Sequence, residues 1–76
     1  MDNIKNYYDL ANAIILQAVE DWRDAVRTLK GKPNNDLAVK TKQSCESFFL
    51  SSYFDKLTSV GGDDLLRKLK EQEGIA

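Results

Sequence analysis

Cys45 is the sole thiol of this 76-residue chain, and histidine is absent altogether. A Ser–His or Cys–His nucleophile pair therefore has no base to activate it, and the commonest general acid–base residue is missing. One thiol without histidine also falls short of the four Cys or His ligands of a structural zinc site. It admits no internal disulfide either. Twelve acidic residues remain, spread over the polar faces of amphipathic segments. None is paired with another inside an apolar stretch where burial would raise its pKa. The pair Gly61-Gly62 lacks the GxGxxG or GxxxxGK[ST] surroundings of a phosphate-binding loop. This inventory leads to the expectation of a non-enzymatic protein with no cofactor and no metal, one that works by binding.

The elements that would carry such binding are helical. Ile4, Tyr8, Ala11, Ile15, Ala18, Trp22, Ala25 and Leu29 recur at alternating spacings of four and three, a heptad-like seam. Tyr7, Ile14, Val19 and Val26 flank the seam and widen its apolar stripe. Asp2 or Asn3 can cap the start, and Gly31 followed by Pro33 can end the helix, the glycine in left-handed form. The adjacent tyrosines at 7 and 8 are only moderate helix formers, so a fray or kink is expected there. Asn34 or Asn35 can cap a second helix with Leu37, Thr41, Cys45, Phe48 and Phe49 on its apolar side. Ser52 with Asp55 resembles a capping box for a short third helix. After Gly61-Gly62, Asp63 and Asp64 open a last helix whose Leu65, Leu66 and Leu69 form the buried edge. The expected fold is all-α: a small helical bundle with one long N-terminal helix, a second helix and two shorter C-terminal ones. Residues 1–76 form a single domain, with helices about 3–30, 36–50, 52–58 and 63–72.

Composition bounds the partners. A domain of this size buries only about 60% of the surface its unfolded chain exposes, so regular helix packing or self-association must support it. The formal net charge of −1 argues against nucleic acid as the main partner, because phosphate binding rests on a surplus of Lys and Arg. Met1-Asp2-Asn3 lacks the basic start of a secretory signal, and no apolar run approaches the ~20 residues of a membrane span. With the lone cysteine, the expectation is a cytoplasmic protein that engages no membrane.

Two surfaces stand out. On the outer side of the first helix, Asp9, Leu16, Glu20 and Asp24 form a stripe of acids around an apolar residue, a candidate partner-binding face. The competing reading is a solvated face in which Glu20–Arg23 and Asp24–Arg27 pair along the helix. Around the first turn, Arg27, Lys30, Lys32, Lys40 and Lys42 make a possible basic patch, diluted by Asp36. Leu10 and Leu16 lie off the seam on opposite flanks, so a homodimer through the first helix is a further expectation. Trp22 reads first as core, as do the aromatics Phe48, Phe49, Tyr53 and Phe54, with room for one of these four to stay exposed.

Two blocks of the chain carry a resemblance. Residues Ala13-Ile14-Ile15-Leu16-Gln17-Ala18-Val19-Glu20-Asp21-Trp22-Arg23 form the first. The second runs Phe48-Phe49-x-Ser51-x-Tyr53-Phe54-x-x-Leu57-Thr58-x-Val60-x-Gly62-x-x-Leu65-Leu66-x-Lys68-Leu69. Together they resemble short all-helical proteins encoded by phages and prophages of Gram-positive bacteria. The chain departs from those proteins at Tyr53, where they often carry Trp, at Gly61, where they carry an acid, and in a less basic first turn. The resemblance implies a phage or prophage origin and a helical fold, and it transfers no functional residue. It also implies a binding role toward a host or phage protein in the host cytoplasm, such as inhibition of a bacterial defence system in the manner of an anti-CRISPR protein. The alternatives are a nucleic-acid-binding accessory factor using the basic turn, or a structural homo-oligomeric phage component.

Overall fold

The apolar seam winds into one continuous helix, α1 (Asn3–Gly31), followed by α2 (Asp36–Phe49), α3 (Ser52–Leu57) and α4 (Gly62–Gln72). A computed structural model describes residues 3–75, with side chains from Asp9 onward. No strand occurs among the described residues, and the all-α architecture expected from the sequence is the one observed. The expected cap at Asp2 or Asn3 and the side chains of Ile4, Tyr7 and Tyr8 lie outside what is described. The α1 backbone itself runs through Tyr7 and Tyr8 without interruption.

At 1.5 Å per residue, the 29 residues of α1 span ~44 Å and set the long axis of a molecule measuring 48 × 21 × 19 Å. The shorter α2 packs antiparallel along it. Thr28 and Ala25 lie beside Asn35 and Ala38 at one end, and Ile14 lies beside Phe48 at the other. From the far end of α2, α3 turns across, and α4 returns until Gln72 meets Arg23. The core joins Trp22 and Val26 of α1, Cys45 and Phe49 of α2, Phe54 of α3, and Leu66 and Leu69 of α4. Phe54 stands edge-on to both Phe48 (5.5 Å, 85°) and Phe49 (5.9 Å, 88°), the geometry that aligns ring edge with ring face.

Local chemistry fixes the helix ends, in several places differently from expectation. Gly31 does not take the left-handed form; it is the last helical residue of α1, and the Lys32 N–H still donates to the Thr28 carbonyl before Pro33 intervenes. Among the described residues positive φ belongs to Gly74 alone (φ +74°). There the Gly74 N–H donates to Glu71 and the Ile75 N–H to Lys70, the paired bonds of a Schellman close, and Ile75 folds back against the core. Asn35 caps α2 by accepting from the Ala38 N–H. Ser51, not Ser52, caps α3 by accepting from the Phe54 N–H. α2 ends at Phe49, one residue short of Leu50, and α4 begins at Gly62. Leu37, expected on the apolar side of α2, is 76% exposed; Ala38, Cys45 and Phe49 fill that side.

Gly62 is where two backbones meet. A Cβ there would overlap the carbonyl oxygen of Phe49, so α4 docks against the end of α2 only because the residue is glycine. Gly62→Ala should lower stability by about 3 kcal/mol, roughly 12–24 °C in the thermal midpoint of so small a domain. Gly31→Ala, which meets open space in a helical position, should leave the midpoint unchanged or raise it slightly. Circular dichroism melts of the two variants measure both.

Candidate functional site

Burial divides α1 into a covered and an open side. Ala11, Trp22, Ala25 and Val26 are buried, while Asp9, Leu16, Glu20 and Asp24 are all exposed. The outer stripe anticipated from the sequence is therefore brought together on one solvent-facing surface, with Leu16 60% exposed in its middle.

The expected Glu20–Arg23 and Asp24–Arg27 pairs do not form. Both arginines turn instead to the C-terminal end of α4, where Glu73 collects three cations: Arg27 at 3.2 Å, Lys30 at 3.8 Å and Arg23 at 4.0 Å. Arg23 also donates to Gln72 Oε1 at 2.6 Å, and Lys30 donates to the Glu73 carbonyl. A carboxylate that is nearly out of solvent (9% exposed) competes better for arginine than an exposed helix neighbour, whose attraction water screens. The acids of the stripe are left without these counter-charges.

The basic patch is dispersed by the same contacts. Arg27 and Lys30 face Glu73, Lys42 pairs with Glu46 at 2.8 Å, and only Lys32 and Lys40 point to solvent without such an acid. Five cations do not converge on one phosphate-sized point.

A second feature was not read from the sequence. On the side of the α1–α2 pair away from α4, a groove of about 480 Å³ opens between Ile14 and Ala18 of α1 and Cys45 and Phe48 of α2. Past Asp21 it continues into a smaller hollow of about 290 Å³ between Asp24 and Thr28 on one wall and Leu37 and Thr41 on the other. The signal was present in the spacing of Leu37, Thr41, Ser44 and Phe48 at four, three and four. The sequence reading places Leu37, Thr41 and Phe48 on one apolar side with Cys45 and Phe49, which lie next to that face.

Glu46 is the titratable group the fold holds most specifically. Burial raises its pKa, but hydrogen bonds from Lys42 and from the Trp22 indole, with the Lys42 and Lys70 charges, outweigh burial and leave it below its ordinary value. The Cys45 thiol is pushed up, first by burial and then by the Asp21 and Glu46 charges, so it is a poor nucleophile. Among the described residues no cluster of three or more Cys, Asp or Glu side chains is suited to a metal ion. Among the described residues no helix is long and apolar enough to cross a membrane. The larger groove has an apolar floor with polar residues at its rim, and the smaller hollow is lined mostly by polar side chains; an exposed apolar patch rimmed by polar residues is the kind of surface that marks an interaction site. Compared with known protein families, curated proteins and solved structures, the chain matches none.

Because Glu46 has a depressed folded pKa, the stability it contributes is present above the unfolded carboxylate value of about 4.3 and is lost as pH falls through the folded value. Glu46→Gln should be less stable than wild type at pH 7 and should lose less on acidification from pH 5 to pH 3. Urea melts across that range measure the difference; parallel wild-type and variant curves would contradict the assignment.

Proposed function

We propose that this protein is a non-enzymatic accessory of phage or prophage origin that binds a host or phage protein through the outer stripe of α1, acting as an inhibitor of a bacterial defence protein. The origin and the class of target rest on the resemblance of the two sequence blocks alone. The surface rests on one observation: Glu73 draws Arg23 and Arg27 away, so Glu20 and Asp24 flank exposed Leu16 without the cations that would otherwise neutralise them. An apolar side chain beside acids that lack these arginines is complementary to a basic surface with a small apolar recess. A defence effector that grips nucleic acid presents such a surface, and occupying it requires no chemistry.

Nucleic-acid binding by the basic turn is disfavoured by the same contacts, since three of its five cations already face acids of the chain. Lys32 and Lys40 alone give a shallow salt dependence.

The test is affinity capture from bacterial lysate with tagged protein, followed by mass spectrometry. The double variant Leu16→Glu/Glu20→Lys alters only exposed positions, so its thermal midpoint should stay near wild type, while recovery of the partner falls roughly tenfold or more. Undiminished capture would remove the stripe from the reading. Recovery of nucleic acid in place of a protein would remove the reading itself.

A further inference from the structure

The groove between α1 and α2 goes beyond that reading, because it lies on a different side of α1 from Leu16 and is large for so small a chain. α4 covers one side of the α1–α2 pair, and no described residue covers the other. Its floor is apolar at Ile14 and Phe48, with exposed Leu37 at one end and exposed Leu10, one turn before Ile14, extending it at the other.

The polar residues on this face have a distribution that selects an occupant. Lys40 sits three residues after Leu37 and four before Ser44, so it shares the open face of α2. Asp24 sits three residues after Asp21 and four before Thr28, so it shares the open face of α1. The hollow that joins Asp24 to Leu37 and Thr41 sets Asp24 and Lys40 at the same level along the antiparallel pair. No ion pair links them within the chain, and both are exposed. One helix thus carries an unpaired acid, and its neighbour an unpaired base at equal height.

We propose that a second copy of this chain covers the groove, related by a two-fold axis parallel to α1 and α2. That operation lays α1 of each copy over α2 of the other, antiparallel, and builds a four-helix layer from two helix pairs. Equal height then becomes contact: Asp24 of each copy meets Lys40 of the other, twice by symmetry, while Ile14, Phe48 and Leu37 close the apolar centre. The other packing, with the axis across the helices, lays α1 on α1 and α2 on α2 and no longer brings Asp24 of one copy to Lys40 of the other. The face mixes apolar side chains with Gln17, Thr41 and Ser44, as reversible interfaces do. The dimer leaves Leu16 and Glu20 outward and takes Asp24, at the edge of the stripe, into the interface, so each assembly displays two copies of the stripe's Leu16–Glu20 part.

Charge exchange tests this directly. Sedimentation equilibrium of the wild type at ~0.2 mM should give twice the 8.6 kDa chain mass. Asp24→Lys and Lys40→Glu alone should each weaken association roughly tenfold or more, because both contacts become repulsive. Mixing the two single variants in equal amounts should restore a dimer, since every contact in the mixed pair is again opposite in sign. The double variant Asp24→Lys/Lys40→Glu should restore it in one chain. Leu37→Glu, at an exposed position, should abolish association while leaving the circular dichroism spectrum unchanged. A monomer at this concentration, single variants that associate like wild type, or a mixture that stays monomeric would each overturn the proposal. Leu16→Glu/Glu20→Lys should remain dimeric, so loss of partner capture and loss of association are separable results.

Discussion

Burying an indole in a bundle this small poses a problem that organises the rest of the molecule. Trp22 is completely out of solvent; removing ~200 Å² of ring surface from water is worth roughly 5 kcal/mol at 25 cal/mol per Å². Its N–H, if left unpaired there, would cost about 1–3 kcal/mol. Burial wins even without a partner, so the hydrogen bond to Glu46 Oε2 at 2.9 Å does not explain why Trp22 is inside. It explains the register. Only one sliding position of α2 along α1 brings a carboxylate to the indole, and Lys42, one turn away, neutralises that carboxylate at 2.8 Å. With α2 fixed, Phe49 enters the core beside Trp22 and Phe54 stacks edge-on behind it. Gly62 then gives α4 its close seat on the Phe49 carbonyl.

The C-terminal end closes the bundle by different physics. The Schellman turn at Gly74 sends Ile75 back onto the core, an apolar contact that locks the end of α4. Glu73, one residue earlier, faces Arg23, Arg27 and Lys30. Partly exposed ion pairs of this kind contribute at most about 1 kcal/mol each, so stability is not their main consequence. Their main consequence is where charge remains. Arginines that could have sat over Glu20 and Asp24 are held on the other flank of α1, and the outer stripe keeps its negative field.

How far the sequence could be read depended on whether a signal was periodic or pairwise. The seam through Ala11, Trp22 and Ala25 is periodic; it locates α1, and these three of its residues are buried. Asn35 before α2 and the glycine pair before α4 are local signals, and they set element boundaries to within a residue or two. Misreadings came where two local solutions competed. Ser51 and Ser52 are both able to cap α3, and the extended backbone of Ser51 (φ −84°, ψ 158°), with its hydroxyl accepting from the Phe54 N–H, makes it the cap. Gly31 and Gly74 both suit a left-handed position, but Pro33 already ends α1 and leaves Gly31 nothing to do. The arginine partners were illegible for a stronger reason. Glu73 is 46 residues from Arg27 in sequence, and no spacing rule connects two helices that meet only after the core has formed. The position of Leu16 and Glu20 off the seam, by contrast, follows from helical projection alone, and both are exposed.

The groove follows from the number of helices available. Two long helices packed side by side expose two faces, and covering both takes at least one further helix on each. This chain has one of adequate length, α4, and it lies on the side where Trp22 and Phe49 need it most. The six-residue α3 spans the end of the bundle and leaves the second face open. An open face between two helices is stable in water only if it is polar enough to stay wet or apolar enough to be covered. The residues here do both in part: Ser44, Thr41 and Gln17 tolerate solvent, while Ile14, Phe48 and Leu37 favour closure. Such a face is suited to an interface that forms and releases, and its charges decide what may close it. Asp24 and Lys40, level with each other and unpaired, make the face complementary to itself when turned about the helix axis, and to few surfaces otherwise.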